Sequence, residues 1–238
     1  MGKLRQLRTE VLDALRADPW PRGLDTLAHY PPKSLIGPLF ACLLEPDRLV
    51  TLRAATAFGV VTSRLYDWRP EEARRLLRDF MWRLNEESGN IGWGIPEAFG
   101  EILAIADKDL AEQFHLVLAS YVHERDCDTG DNYLEHNPLR RGAYWALGRL
   151  AHARPEFALP AFPDLVSALD DGDPESRGFA AWALGPLLPL AKESVGAARV
   201  KLARLAPDDS AFELYENGAL APTTVAKQAS RALEGENI

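Results

Sequence analysis

Two tryptophans and two acids near one connection between helices give the sequence its best material for chemistry. Trp82, Glu87, Trp93 and Glu97 lie in the stretch 82–97, together with Asn85 and three glycines. Aromatic rings can pack against a ligand, and carboxylates can bind a cationic or hydroxyl group or act as general acid and base. In the structural alternative, glycines supply positive φ, tryptophans fill a gap between helical hairpins, and Glu97 serves a first helical turn. The sequence leaves both interpretations open.

A second set of candidate ligands lies in the stretch 123–136. Its acids are Asp126, Asp128 and Asp131, and its other metal-binding residue types are His123, Cys127 and His136. The acids resemble a calcium loop, but their spacing is not that of an EF-hand. Nothing in the sequence fixes the geometry of the histidines and the cysteine. Because a solvated loop is the commoner meaning of such a charge run, the sequence predicts no bound metal and no cofactor.

Motifs for nucleophilic catalysis and for nucleotide binding are missing from the sequence. It contains no G-x-S-x-G, no G-x-G-x-x-G following a strand and no Walker loop, and neither cysteine has a persuasive histidine partner. The sequence therefore favours a protein that is not an enzyme, while leaving catalysis open.

The elements that must position these residues are helices, since apolar residues recur at helical spacing along most of the chain. The predicted helices cover about 3–17, a short segment at 24–28, and then 34–44, 47–64, 70–84, a helix beginning at 96, 110–122, 138–151, 161–170, 174–189, 192–205 and a last helix after 224. Ser34, Asn137 and Asp173 are predicted N-caps, and Thr223 or Thr224 caps the last helix. Asn217-Gly218 between alternating apolar residues predicts a β-hairpin near 211–222.

A repeat becomes visible when the second helices of the predicted hairpins are aligned. The aligned segments are Ala54–Gly59, Ile95–Gly100, Ala143–Gly148 and Ala180–Gly185. Their final glycines are 41, 48 and 37 residues apart. Two-helix units with a period near 40 are typical of α-solenoids, in which each hairpin buries its apolar face against its neighbours.

The stretches 139–150 and 176–185 resemble the second helix of HEAT-like repeats of the phycobilisome-lyase type. The resemblance implies an all-α superhelix of antiparallel helix pairs over residues 34–190. Residues 1–33 and 191–238 would then cap its two ends, within one domain spanning 1–238. Such repeats occur in chromophore lyases, adaptor subunits and DNA glycosylases, so the resemblance is specific for fold and weak for function.

Second helices of a solenoid line its concave surface, so the two loop regions are expected to open on the same face. A second group of candidate binding residues would then adjoin Trp93 and Glu97. This group consists of Tyr133, Glu135, His136, Arg140, Arg141 and Tyr144. In the alternative interpretation, Tyr144 and its neighbour Trp145 belong to the core and the arginines pair with acids of adjacent hairpins.

Charge and composition narrow the class of partner. The chain has 35 acidic and 27 basic residues and a formal charge of −8, which disfavours binding to a phosphate backbone. We find no signal-peptide pattern, no apolar run of 18 residues and only two widely separated cysteines, which predicts a soluble cytoplasmic protein without membrane contact.

These observations predict a non-catalytic scaffold that uses its concave face and inter-helix loops to bind a partner protein or peptide. A basic partner suits the acidic chain, and a small-molecule ligand is a further option. The resemblance also implies two alternatives: a tetrapyrrole- or bilin-handling lyase or chaperone-like protein, and a DNA-glycosylase-like enzyme, which the charge disfavours.

Overall fold

Helices form most of the regular structure, as the apolar periodicity predicted. The structure is a computed structural model that describes residues 2–85, 92–124 and 132–235. Its helices are α1 (Lys3–Leu15), α2 (Pro21–Ala28), α3 (Pro32–Cys42), α4 (Arg48–Trp68), α5 (Pro70–Leu84), α6 (Ile95–Ile105), α7 (Lys108–Ser120), α8 (Asn137–Ala153), α9 (Pro155–Ala158), α10 (Phe162–Ala168), α11 (Pro174–Leu184), α12 (Val195–Arg204) and α13 (Val225–Glu234). Strands β1 (Ala211–Glu216) and β2 (Ala219–Thr224) pair as a small sheet. This arrangement confirms the predicted all-α fold class with one β-hairpin.

The chain divides into two compact units. The first contains residues 1–110 and 215–220, and the second contains residues 111–214 and 221–238. The division falls inside α7 and inside the hairpin, whose tip belongs to the first unit. The single domain predicted for 1–238, with caps at 1–33 and 191–238, stays a prediction.

Two helix starts follow the predicted capping signals, and two do not. Asp173 caps α11 by accepting a hydrogen bond from the backbone N–H of Ser176, and Thr224 caps α13 through Lys227. The prediction for Ser34 was wrong, because α3 already begins at Pro32 and the Ser34 hydroxyl donates to the carbonyl of Pro31. Asn137 was also wrongly predicted as a cap. It is the first residue of α8, and its side-chain oxygen accepts a hydrogen bond from Arg140.

Prolines shorten the helix that was predicted to cover 174–189. Helix α11 ends at Leu184, and the chain continues as a 3-10 helix over Gly185–Leu190. Pro186 and Pro189 lack the amide hydrogens that α-helical hydrogen bonding needs, which accounts for the change in winding.

Four phenylalanines join the helix pairs of the first unit. Phe40, Phe58 and Phe80 meet edge to face with ring centroids 5.0–5.4 Å apart, and Phe99 lies 6.4 Å from Phe80. The rings come from α3, α4, α5 and α6 in turn. One aromatic cluster therefore holds two consecutive helical hairpins together.

The aligned glycines mark the places where second helices approach each other. A Cβ atom on Gly59 would lie 2.8 Å from the backbone oxygen of Glu101 in α6. A Cβ atom on Gly148 of α8 would lie 2.4 Å from the ring of Trp182 in α11. A Cβ atom on Gly185, at the end of α11, would lie 3.5 Å from Cα of Ala232 in α13, which is an ordinary contact distance. Gly59 and Gly148 therefore serve close packing between neighbouring repeats, whereas the contact at Gly185 does not require a glycine.

Within the first unit, the chain itself covers the side of α4 that lies opposite Phe58. Arg53 and Thr56 point to this side, as the helical period requires. Arg53 is 8% exposed and donates hydrogen bonds to the carbonyls of Leu15, Ala17 and Gly218. The hydroxyl of Thr56 lies 2.9 Å from that of Tyr215 in the hairpin tip. A face that second helices were expected to offer to a partner is therefore filled by residues 15–20 and 215–220.

Within the second unit, the base of the hairpin packs on α11. The Phe212 ring lies so close to Gly178 that a Cβ atom there would be 2.3 Å from it. Arg177 of α11 forms an ion pair of 2.7 Å with Asp208, in the segment just before β1. The predicted hairpin at 211–222 is confirmed, and its turn has positive φ at Asn217 and Gly218, as an Asn-Gly turn requires.

Candidate functional site

Gly94 positions Trp93 just before the start of α6. Gly94 has φ of +70°, a left-handed conformation that glycine adopts without steric cost. A Cβ atom on Gly94 would lie 3.0 Å from Leu43 and 3.3 Å from Thr51. The backbone is thus packed tightly against α3 and α4, while the Trp93 side chain remains 40% exposed. This confirms the interpretation that a glycine of this stretch supplies positive φ.

A small cavity of about 170 Å³ opens beside Trp93. Its lining residues are Phe40, Ala41, Leu43, Leu44, Arg83, Gly92, Trp93 and Ile95. Most of these side chains are apolar, and Leu44 is 64% exposed. Leu44 and Trp93 form an apolar rim around this cavity. We call the cavity and its lining residues the Trp93 pocket.

Arg83 is the charged member of the Trp93 pocket. Its guanidinium lies 4.5 Å from the centroid of the Phe40 ring, and its Nε donates to Asp79 at 3.1 Å. The cation therefore has both an aromatic face and a carboxylate on its own helix, which hold it in one orientation. Arg83 forms one wall of the pocket with a fixed shape.

The thiol next to this region is poorly suited to nucleophilic chemistry. Cys42 is completely buried at the end of α3, and burial, aided by the charge of Glu45, raises the pKa of its thiol to about 11. The thiolate, which is the nucleophilic form, is therefore rare at neutral pH.

The other predicted residues of the stretch 82–97 that the structure describes are not part of the pocket lining. Trp82 is 58% exposed on α5, and Asn85 is exposed at the end of that helix. Glu97 is half-buried in the first turn of α6, where an acid suits the helix dipole. Glu87 lies outside the described residues. The structure therefore brings Trp93 to a pocket, and a pocket shared by Trp82, Glu87, Trp93 and Glu97 stays a prediction.

In the second group of predicted residues, Arg140 secures the segment that precedes α8. Its guanidinium donates to the carbonyls of Leu134 and Glu135 at 2.9 and 3.0 Å and lies 5.3 Å from the Tyr133 ring centroid. Asp171 lies 3.7 Å from its Nε atom. With 9% of its surface exposed, Arg140 is engaged mainly within the fold.

The neighbours of Arg140 divide into exposed and buried residues. Glu135 and His136 are exposed, and Tyr133 is half-buried. Tyr144 is 4% exposed, and burial, with the nearby charge of Asp171, raises the pKa of its hydroxyl. Trp145 is also buried, as the core interpretation of these two residues predicted.

Arg141 is committed to the next helical hairpin. It forms a bidentate pair with Asp173 at 2.9 Å and a further ion pair of 3.2 Å with Glu175. The expectation that arginines pair with acids of adjacent hairpins is confirmed at this residue. Trp93 and Glu97 belong to the first unit, whereas Tyr133, Glu135, His136, Arg140 and Tyr144 belong to the second. Their convergence on one face stays a prediction.

The predicted metal ligands are only partly described. Asp126, Cys127, Asp128 and Asp131 lie outside the described residues. His123 is within hydrogen-bond distance of Asp164, with 2.8 Å between Nδ1 and Oδ1. Over residues 2–85, 92–124 and 132–235, no three His, Cys, Asp or Glu side chains form a group that could hold a metal ion.

Sequence reasoning missed the α3 side of the Trp93 pocket. Phe40, Leu43 and Leu44 were assigned only to an amphipathic helix, and Arg83 carried no functional prediction. The sequence offered only a weak signal for this wall of the pocket. Leu43 and Leu44 directly precede the turn Glu45-Pro46-Asp47, and two adjacent residues at the end of a helix point in different directions.

Comparison with known proteins identifies the repeat. Residues 137–187 match the family described as HEAT-like repeat, which confirms the predicted repeat in the region of α8 to α11. The phycobilisome-lyase subtype stays a prediction. No curated protein matches the chain.

Solved repeat proteins share the fold at low sequence identity. A designed armadillo repeat protein in complex with the peptide (KR)4 is 17% identical, with a TM-score of 0.52 and coverage of 98% of this chain and 99% of that chain. An engineered protein is 16% identical, with a TM-score of 0.54 and coverage of 99% and 98%. These similarities show the fold alone. Among the described residues, no helix is both long and apolar enough to cross a membrane.

Proposed function

From a helical-repeat fold that contains a HEAT-like segment, we propose a non-catalytic protein that binds a partner protein or peptide at the Trp93 pocket. The observation that carries the proposal is the apolar rim. Leu44 and Trp93 are 64% and 40% exposed at the mouth of one small cavity. Large apolar side chains grouped on a surface commonly mark interaction sites, and tryptophan is enriched among the residues that dominate binding energy.

The size of the cavity favours one side chain of a partner as its occupant. Pockets for drug-sized ligands usually measure about 300–1,000 Å³, whereas this cavity measures about 170 Å³. A single leucine, methionine or phenylalanine side chain would enter it and contact Trp93, while the rest of the partner lies across the turn that joins α3 to α4.

Contacts restrain part of the pocket lining. Gly94 packs against Leu43, and Arg83 contacts Phe40 and Asp79, so these residues lose little conformational entropy when a partner binds. The face of α4 that carries Arg53 is covered by the chain itself. The proposal therefore assigns binding to the connections between helices.

The overall charge favours basic residues beside the apolar anchor of the partner. A formal charge of −8 attracts a cationic segment and accelerates its encounter. The structural neighbour in complex with the peptide (KR)4 supports the suitability of this fold for basic peptides. The proposed partner is thus a peptide segment with one large apolar residue next to lysine or arginine.

Peptides selected from a random phage-displayed library on the wild-type protein test this proposal. We expect enriched peptides to carry an apolar residue beside basic ones, and to lose at least about tenfold in affinity on Leu44→Glu and on Trp93→Ala. Leu116→Glu is the matched control, because Leu116 of α7 is 60% exposed and lies outside the pocket lining.

Circular dichroism of each variant separates a lost site from a lost fold. The proposal fails if no peptide is enriched, or if folded Leu44→Glu and Trp93→Ala proteins bind the selected peptides as tightly as Leu116→Glu does.

A further inference from the structure

A wider groove, of about 520 Å³, lies between α3 and α5 in the first unit. Its lining residues are Lys33, Ile36, Gly37, Phe40, Leu65, Glu72, Arg75, Leu76 and Asp79. At one end Lys33 and Glu72 form an ion pair of 3.2 Å, and at the other the guanidinium of Arg83 lies 4.5 Å from the Phe40 ring centroid. These two contacts show that α3 and α5 lie side by side and run in the same direction. We call this surface the α3–α5 groove.

The α3–α5 groove adjoins the Trp93 pocket. Phe40 lines both, and Arg83, which contacts the Phe40 ring, is a wall of the pocket. Because Phe40 lies one helical turn before Leu44, the groove extends from the pocket in the direction away from the turn that joins α3 to α4. A segment whose apolar side chain occupies the Trp93 pocket can therefore continue along the groove.

The floor of the groove is apolar, and part of it is open. Leu65 and Leu76 are 5% and 7% exposed, and Ile36 is half-buried. Gly37 is exposed, and a Cβ atom built on it has no described neighbouring atom within 4 Å. The absence of a side chain at Gly37 leaves room for another chain to approach α3 closely.

Ion pairs within the protein involve three of the four charged residues that line the groove. Lys33 and Glu72 pair with each other. Asp79 forms an ion pair of 3.1 Å with Arg83. Arg75 is exposed, and its guanidinium forms no ion pair or hydrogen bond with the residues that the structure describes. The charge that the groove offers to a partner is therefore positive, which favours an acidic side chain.

We propose that the partner segment that fills the Trp93 pocket continues through the α3–α5 groove and places an acidic side chain against the guanidinium of Arg75. This inference rests on the proposed function and adds a second contact that determines specificity. Arg75 lies eight residues before Arg83, which corresponds to about 12 Å along α5. The acid is therefore expected about four residues from the apolar anchor in an extended segment, or about eight in a helix.

The acidic and basic preferences apply to opposite sides of the apolar anchor. Basic residues of the partner suit the turn between α3 and α4, which carries Glu45 and Asp47. The acid suits the groove, where Arg75 lies. A general attraction of basic peptides to the acidic chain would instead predict that Arg75→Glu strengthens binding, so the sign of the effect separates the two explanations.

Charge exchange between Arg75 and the peptide tests the proposal. Peptides of about 12 residues, long enough for either spacing, are selected on the wild-type protein, and an acid should recur at one of the two spacings. Arg75→Glu should weaken these peptides at least about fivefold, and replacing the acid of the peptide by lysine should restore binding to Arg75→Glu.

Arg78→Glu is the matched control for Arg75→Glu. Arg78 is likewise exposed on α5, forms no ion pair with the described residues, and lines neither the groove nor the Trp93 pocket. This control should change peptide binding less than about twofold.

Filling the groove tests the path of the partner segment. Gly37→Phe places a ring in the open space above α3 and should weaken the selected peptides at least about tenfold. Gly37→Ala adds only a methyl group to a groove of about 520 Å³ and should leave binding unchanged. Circular dichroism confirms that each variant folds.

The proposal is overturned if Arg75→Glu binds the peptides as tightly as Arg78→Glu does, if the charge exchange does not restore binding, or if folded Gly37→Phe binds as Gly37→Ala does. When Leu44→Glu and Trp93→Ala nevertheless weaken the same peptides, the proposed function stands without this inference. If no peptide is enriched, both fail. Self-association in sedimentation experiments that Gly37→Phe abolishes would assign the groove to a second copy of the chain and would also overturn the proposal.

Discussion

The carbonyl oxygen of Gly218, in the turn of the hairpin, accepts a 2.9 Å hydrogen bond from Nε of Arg53, in the second turn of α4. These residues are 165 positions apart in the sequence. The same guanidinium reaches the carbonyls of Leu15 and Ala17 and lies 5.0 Å from the Trp20 ring centroid. One arginine therefore ties the N-terminal helices and the hairpin tip to a repeat helix.

Replacing this arginine should destabilise the protein strongly. Arg53→Ala leaves three carbonyls without their charged donor and opens space in a buried region, so we expect a loss of about 3 kcal/mol in the free energy of unfolding. Urea denaturation measures it. Arg69→Ala is the control, because Arg69 is 60% exposed in its pair with Glu72 and should cost less than about 0.5 kcal/mol. Equal losses in the two variants would contradict the assigned role.

Two of the aligned glycines should respond differently to substitution by alanine. Gly148→Ala drives a methyl group to about 2.4 Å from the Trp182 ring, so α8 and α11 must separate, at a cost of about 1–3 kcal/mol. Gly185→Ala meets Ala232 at an ordinary 3.5 Å and should change stability by less than about 1 kcal/mol. Thermal unfolding of both variants checks the contrast. Similar losses at both positions would show that the glycines do not act through helix contact.

Gly94 should control both stability and the Trp93 pocket. Alanine at φ of +70° costs about 1–2 kcal/mol from backbone strain alone, and its methyl group would also press on Leu43. We therefore expect Gly94→Ala to weaken binding of peptides selected at the pocket, as well as folding. Gly37 lies on α3, and a Cβ atom built on it has no described neighbouring atom within 4 Å. Gly37→Ala should therefore leave peptide binding and stability unchanged or raise stability slightly. Unchanged folding and binding in Gly94→Ala would argue against this coupling.

Asp173 should make stability depend on pH. Burial disfavours its charged form, but hydrogen bonds from Arg141 and Ser176 outweigh that effect and lower the pKa of the carboxyl. The contribution of Asp173 to the free energy of unfolding is therefore complete above the pKa of the unfolded chain, about 3.9. It is lost as the pH falls through the lower pKa that Asp173 has in the folded protein.

The variant Asp173→Asn removes this contribution while keeping an N-cap residue. We expect it to cost about 1–2 kcal/mol near neutral pH, because one charge-assisted bond to Arg141 is lost. In urea denaturation across the acid range, its difference from the wild type should shrink as the pH falls. Asp25→Asn, at an exposed position on α2, controls for removal of one carboxylate. A difference that grows toward acid pH would have the wrong sign for this mechanism.

Local signals in the sequence predicted the elements well. Apolar residues at helical spacing marked α5 at its observed bounds, Pro70–Leu84, and Asn217-Gly218 marked the hairpin turn. Ser34 and Asn137 were assigned wrongly as caps, because competing partners, Pro31 and Arg140, engage their side chains. Such competition depends on where the backbone already lies, which residue type alone does not reveal.

The candidate site was only partly predictable. Trp93 was found from its setting between glycines, but the opposite wall of its pocket comes from Phe40, Leu43 and Leu44 of the preceding hairpin. Leu43 is 2% exposed and Leu44 is 64% exposed, although they are adjacent and identical in type. Trp182 and Gln228 line one cavity, although they lie on two helices that gave no functional signal.

The sequence by itself determined that the chain is helical, that it repeats, and where its hairpin turns, because periodicity, prolines and Asn-Gly act through neighbouring residues along the backbone. Only the tertiary structure decided which apolar residues stay exposed and that the hairpin tip covers α4. Those properties arise from contacts between segments far apart in the chain, such as Arg53 with Gly218. A local sequence pattern does not show which distant segments will be in contact.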